Sequence, residues 1–153
     1  MSGYAQTHHV TVTPTLDTSA YSDGDRMGSI MTIEAGNDSG NPVTIMDVKV
    51  QDKADQGATF DMLFFNELPV VASADNAAIS ITDAEGEKYE GHITIDTYSD
   101  FGGWQGATKL NVGLAVKPAA ADGKIYALLV SRGTPTYAAN SLRIKISFAM
   151  DRG

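Results

Sequence analysis

Thr59–Leu68 reads TFDMLFFNEL, the densest apolar run in the chain. On a strand, alternate side chains face opposite ways, so Phe60, Met62 and Phe64 share one face while Asp61, Leu63 and Phe65 share the other. One apolar face is enough to pack a sheet onto a core. Burying a single Leu or Phe side chain is worth about 1.5–3 kcal/mol, so Leu63 and Phe65 need cover of their own. That cover is either a loop of the same chain, laid over a central sandwich strand, or a neighbouring subunit.

Strand patterns continue on both sides of this run. Upstream, Pro42–Lys53 alternates through Val43 and Ile45 and resumes one residue out of phase at Val48 and Val50. That slip at Met46-Asp47 predicts a β-bulge. Arg26–Glu34 carries Met27, Ile30 and Ile33 with a glycine breaking the period, and Thr7–Leu16 alternates Val10 and Val12 with threonines before Pro14, an edge signal. Downstream come His92–Tyr98, Thr108–Lys117, Lys124–Arg132 and Leu142–Met150. In Thr108–Lys117 the residues Leu110, Val112, Leu114 and Val116 read as one unbroken face. Asn37–Pro42 reads as a loop, Asp75–Ala78 as one helical turn, Ile79 and Ile81 as a short strand, and Asp83–Glu87 as a turn.

The pattern predicts an all-β fold of eight or nine antiparallel strands, a β-sandwich of jelly-roll-like order. No segment has the helical period that a parallel crossover requires. A chain of 153 residues fits one such domain over 10–153, with residues 1–9 read as an N-terminal arm.

Composition narrows the function classes. There is no cysteine, which excludes disulfides, thiol catalysis and cysteine-ligated metals. Nineteen acidic against eleven basic side chains give a formal charge of -8, which opposes contact with nucleic acid or an anionic membrane. The lysines, Lys49 and Lys145 among them, are scattered along the chain, so only folding could gather them. No apolar stretch is long enough to span a bilayer, and the first fifteen residues lack a signal-peptide pattern. A soluble protein that stays in the compartment where it is made is expected.

Chemistry-bearing patterns are sparse. The histidines are His8, His9 and His92, and no G-x-S-x-G elbow accompanies them. His8 and His9 are adjacent and point to opposite faces of a strand. Asp23-Gly24-Asp25 lacks the further ligands of a calcium loop and reads as a turn. The carboxylates Asp83, Glu85, Glu87 and Glu90 read as a solvated hairpin tip, and neither G-x-G-x-x-G nor a P-loop is present. No catalytic residue, cofactor or metal is expected. The segment DFGGWQG, 100–106, presents Phe101 and Trp104, which suit anchoring a partner, stacking on a sugar, or folding back to cap the sandwich.

Four segments carry a resemblance: PTLDTSAYSDGDRMG (14–28), VKVQDKADQGATFDMLFFNELP (48–69), ADNAAISITDAE (74–85) and KIYALLVSRGTPTYAANSLRIKISF (124–148). In this order they resemble a group of tailed-bacteriophage and prophage proteins. The resemblance implies a virion structural protein without catalytic residues, made in the host cytoplasm. The role it favours is head decoration (cement) on the outer capsid, bound to the major capsid protein as a homotrimer. Its rivals are a neck, tail or fibre-associated component, and a module that contacts host glycans. Leu63, Phe65, Phe101 and Trp104 are the candidate interface residues.

Overall fold

The alternation along Leu142–Met150 sets the architecture. Leu142, Ile144, Ile146 and Phe148 are fully buried, whereas Arg143 and Lys145 between them are exposed. The computed structural model describes residues 6–36 and 40–150, and among these it has ten strands and one short helix. In chain order they are β1 (Gln6–Val12), β2 (Arg26–Glu34), β3 (Val43–Asp52), β4 (Phe60–Phe65), α1 (Asp83–Gly86), β5 (Tyr89–Ile95), β6 (Ser99–Asp100), β7 (Gln105–Lys109), β8 (Leu114–Val116), β9 (Lys124–Ser131) and β10 (Leu142–Met150). Residues 6–9 of the expected arm belong to β1. Residues 1–5, the start of the Asn37–Pro42 loop and the last three residues of the expected domain lie outside the described residues.

One sheet runs β1–β10–β3–β7–β6, with β8 also pairing β3; the other runs β2–β9–β4–β5. All pairings are antiparallel. The sheets pack face to face as a β-sandwich. Its core interleaves Ile45, Val48, Ile144, Ile146 and Phe148 of the first sheet with Met27, Phe60, Met62, Phe64, Ile125 and Leu129 of the second. The bulge expected at Met46-Asp47 is present: Ser147 pairs Asp47 and Phe148 pairs Ile45, leaving Met46 unopposed.

Three local expectations are corrected. Thr108–Lys117 is two strands, because Asn111 and Gly113 adopt positive φ (55° and 66°) and turn the chain out between β7 and β8. Leu110 is consequently exposed. The helical turn lies at Asp83–Gly86, not Asp75–Ala78, since Thr82 caps it by accepting the Glu85 N–H. Thr82 and Glu85 have the spacing of a capping box. No strand forms at Ile79 and Ile81; Ala78 makes an isolated bridge to Asp25. The split of Thr108–Lys117 and the two-residue β6 account for a strand count above the expected eight or nine.

The outer face of β4 is covered by the chain itself. Phe65 is fully buried, as are its outward-facing neighbours on β9, Leu128 and Val130. The segment between β4 and α1 crosses this face. Arg26, which pairs Val130, donates through Nη1 to the carbonyls of Val71 (3.3 Å) and Ser73 (2.6 Å). On the far side, Leu63, Ile81, Asp83 and Tyr89 form a shallow groove above the buried Phe65. The Phe65 and Tyr89 rings meet edge-on there, with centroids 6.2 Å apart.

Candidate functional site

Two regions concentrate specific side-chain geometry. The first is the end of the sandwich where the β1–β2, β3–β4 and β9–β10 connections meet the 66–82 segment. Tyr21 donates its hydroxyl to Asp75 at 2.8 Å and accepts the Asp17 N–H at 2.8 Å, while its own N–H reaches the Pro135 carbonyl at 2.9 Å. Asn76 donates to Asp17 at 2.7 Å, and that bond holds the Asp17 carboxyl below its usual range. Asp52, fully buried, accepts the N–H groups of Ala54, Gln56 and Gly57 at 3.0, 2.9 and 2.8 Å. Gln56 in turn accepts the Thr136 N–H at 3.0 Å. Burial pushes the hydroxyls of Tyr21, Tyr98 and Tyr137 well above the ordinary tyrosine range, so all three stay protonated. These groups lock loops to one another. Asp23, Gly24 and Asp25 form the expected turn, closed by the Asp25 N–H on the Ser22 carbonyl at 3.1 Å.

The second region is the outer face of the six-stranded sheet. The β6–β7 hairpin turns tightly because Phe101 N–H donates to the Trp104 carbonyl at 3.0 Å and Gly102 N–H donates to Asp100 at 2.8 Å. The two aromatic rings stack on each other, centroids 4.9 Å apart, and lie over Gly106. A Cβ at Gly106 would sit 3.1 Å from the Trp104 ring, so only glycine admits this arrangement without displacement. Phe101 and Trp104 keep 61% and 38% of their surface exposed. They do not cap the core; they form one wall of a groove of about 610 Å³. Lys49, Arg143 and Lys145 line the same groove, and among the described residues no carboxylate does. Antiparallel register has brought Lys49 beside Arg143 and Lys145, 94 and 96 residues away in the chain, which spacing alone cannot reveal.

One register step away lies a row of His9, Ser147 and Asp47 on β1, β10 and β3. His9 Nδ1 and Ser147 Oγ are 2.9 Å apart, a pairing that local sequence does not signal. A hydrolytic triad places histidine between serine and aspartate. Here serine stands in the middle, with 3% of its surface exposed. His92 is exposed at the outer side of β5, opposite Leu63. Among the described residues no group of three or more His, Asp or Glu is placed to hold a metal ion.

The four candidate interface residues therefore separate. Phe101 and Trp104 come together on an open face. Leu63 is half-buried beside α1, and Phe65, wholly enclosed by its own chain, has no surface to offer a partner.

No family model and no curated protein matches this chain.

Proposed function

We propose that this chain is a virion structural protein of a tailed bacteriophage, a rigid β-sandwich building block that decorates the outer capsid. One observation carries the reading. The four segments that resemble phage proteins are distant in sequence, yet they interlock at a single end of the sandwich through hydrogen bonds that include Tyr21–Asp75, Asn76–Asp17 and Gln56–Thr136. A sequence pattern spent on tying loops together is the signature of a scaffold whose shape is its function, and it agrees with a resemblance that brings no catalytic residues.

Two further features support it. The first four strands alternate between the sheets, whose orders include β1–β10–β3–β7 and β2–β9–β4–β5, which fits the jelly roll common in viral shell proteins. Outside the core, Leu68, Val70 and Leu110 keep more than half of their surface exposed, which suits docking to the major capsid protein and to sister subunits in a closed homotrimer.

Electron cryomicroscopy of the particle that carries this chain tests the reading: density for the sandwich belongs on the outer shell at local threefold positions. Density confined to the neck or tail would overturn the decoration role. The mass of the purified protein in solution tests assembly, since a monomer at all concentrations contradicts the trimer.

A further inference from the structure

The groove beneath Phe101 and Trp104 has a composition at odds with the rest of the molecule. In a chain of net charge -8, three cations converge there without a carboxylate among its walls. Two of them are directly opposed: Lys145 on β10 is the cross-strand partner of Lys49 on β3. Like charges placed opposite each other destabilise a sheet. Arg143 lies one step further along, opposite Gln51. Among the described residues the ion pairs are Lys88–Glu85, Arg132–Asp23 and Arg132–Asp61, and none of them includes a groove cation. Asp47, on the same face two residues from Lys49, forms no ion pair among the described residues; on the neighbouring loops Asp100 holds the Gly102 N–H and Asp55 accepts from Gln105.

We propose that this groove is a binding site for an anionic oligosaccharide, with a sugar ring lying on the Phe101–Trp104 wall and its carboxylate or sulfate drawn to Lys49, Arg143 and Lys145. Each component answers a part of such a ligand. Aromatic faces accept the apolar C–H face of a pyranose. A guanidinium beside two ammonium groups receives an oxyanion through charge-assisted hydrogen bonds. The Gln51 amide offers both a donor and an acceptor to ring hydroxyls. The volume of about 610 Å³ falls in the range of small-ligand sites. A polyphosphate fits poorly, because it has no apolar ring face to lay on the Phe101–Trp104 wall. The inference does not depend on the capsid role, since it rests only on the side chains that line the groove.

Isothermal titration of the full chain with oligogalacturonate, and with the uncharged galactose oligomer of equal length, tests the site. Saturable binding of the acidic oligomer is expected, about tenfold or more tighter than the neutral one and weakening with added salt. Trp104→Ala and Arg143→Gln should each weaken it about tenfold while the protein stays folded, with the unfolding midpoint unchanged for Arg143→Gln and only slightly lowered for Trp104→Ala. A sulfated oligosaccharide run in parallel distinguishes carboxylate from sulfate preference within the proposal. Failure of both anionic sugars to bind overturns it. So does binding that is indifferent to Trp104→Ala, or a polyglutamate peptide that binds as tightly as the sugars, since either result reduces the groove to a charge patch.

Discussion

Tyr21 and Asp75, 54 residues apart in the chain, are joined by a 2.8 Å hydrogen bond beneath the loops at one end of the sandwich. The same Asp75 oxygen accepts the Gly28 N–H, and the Tyr21 hydroxyl accepts the Asp17 N–H, so phenol and carboxylate together tie the β1–β2 connection, β2 and the 66–82 segment. Tyr137, whose ring lies 6.2 Å from that of Tyr21, has a buried hydroxyl with no hydrogen-bond partner among the described residues. The two tyrosines should therefore respond oppositely to loss of the hydroxyl. Tyr21→Phe is expected to cost about 1–3 kcal/mol, and Tyr137→Phe to be neutral or stabilising. Urea unfolding of the two variants checks this; equal losses would contradict the network.

Asp52 makes a second test of the same end. It is fully buried and satisfies three backbone N–H groups of the 53–57 turn. Asp52→Ala strands all three and should cost about 3 kcal/mol or more. Hydrogen exchange should then show faster exchange at Gln56 and Gly57 before any change in the β10 core.

Acid should weaken a different contact. Burial raises the Asp61 carboxyl, but hydrogen bonds from Thr94 (2.6 Å) and Arg132 (2.8 Å), with the Arg132 charge, outweigh it and hold the group below its ordinary 3.8. A carboxyl depressed by folding stabilises the native state above its unfolded pKa, and that stabilisation is lost as pH falls through the folded value. The stability gap between the wild type and Asp61→Asn is thus expected to be constant near neutrality and to close on acidification below about pH 4. Chemical denaturation at a series of pH values measures it, and a gap that widens in acid would refute the assignment.

The cover over β4 predicts a contrast between two phenylalanines. Phe65 is fully buried and Phe101 is 61% exposed. Phe65→Ala should cost about 3–5 kcal/mol in the isolated protein, whereas Phe101→Ala should cost under about 1 kcal/mol, the worth of its stacking on Trp104. Thermal unfolding separates them. A small loss at Phe65 would mean that its cover comes from another subunit.

Gly28 sits inside β2 at φ 73°, where the register slips between Met27 and Met31. An added Cβ would lie 2.9 Å from the Thr15 carbonyl oxygen. Gly28→Ala is expected to lose at least about 1–2 kcal/mol from backbone strain alone, readable as a lowered denaturation midpoint. An unchanged midpoint would show that β2 can straighten.

Period-two alternation is a property of neighbouring residues, which is why β10 and the bulge at Met46 were legible without a structure. The same signal misled at Thr108–Lys117. Four apolar residues alternate there, yet Asn111 and Gly113 take left-handed conformations that turn the chain out between β7 and β8. The helical turn at Asp83 was also written in the letters, as Thr82 followed by Glu85, but it hid among carboxylates that read as a hairpin tip.

The order of amino acids alone determined an all-β sandwich, its main strands and the absence of any thiol chemistry, because side-chain alternation and composition act over short range. Only the tertiary structure decided that Phe65 is enclosed by its own chain, and that Lys49, Arg143 and Lys145 share a groove with two stacked aromatic rings. Which strands become neighbours, and in what register, depends on contacts between residues far apart in the chain, and a one-residue slip would have sent every one of these side chains to the opposite face.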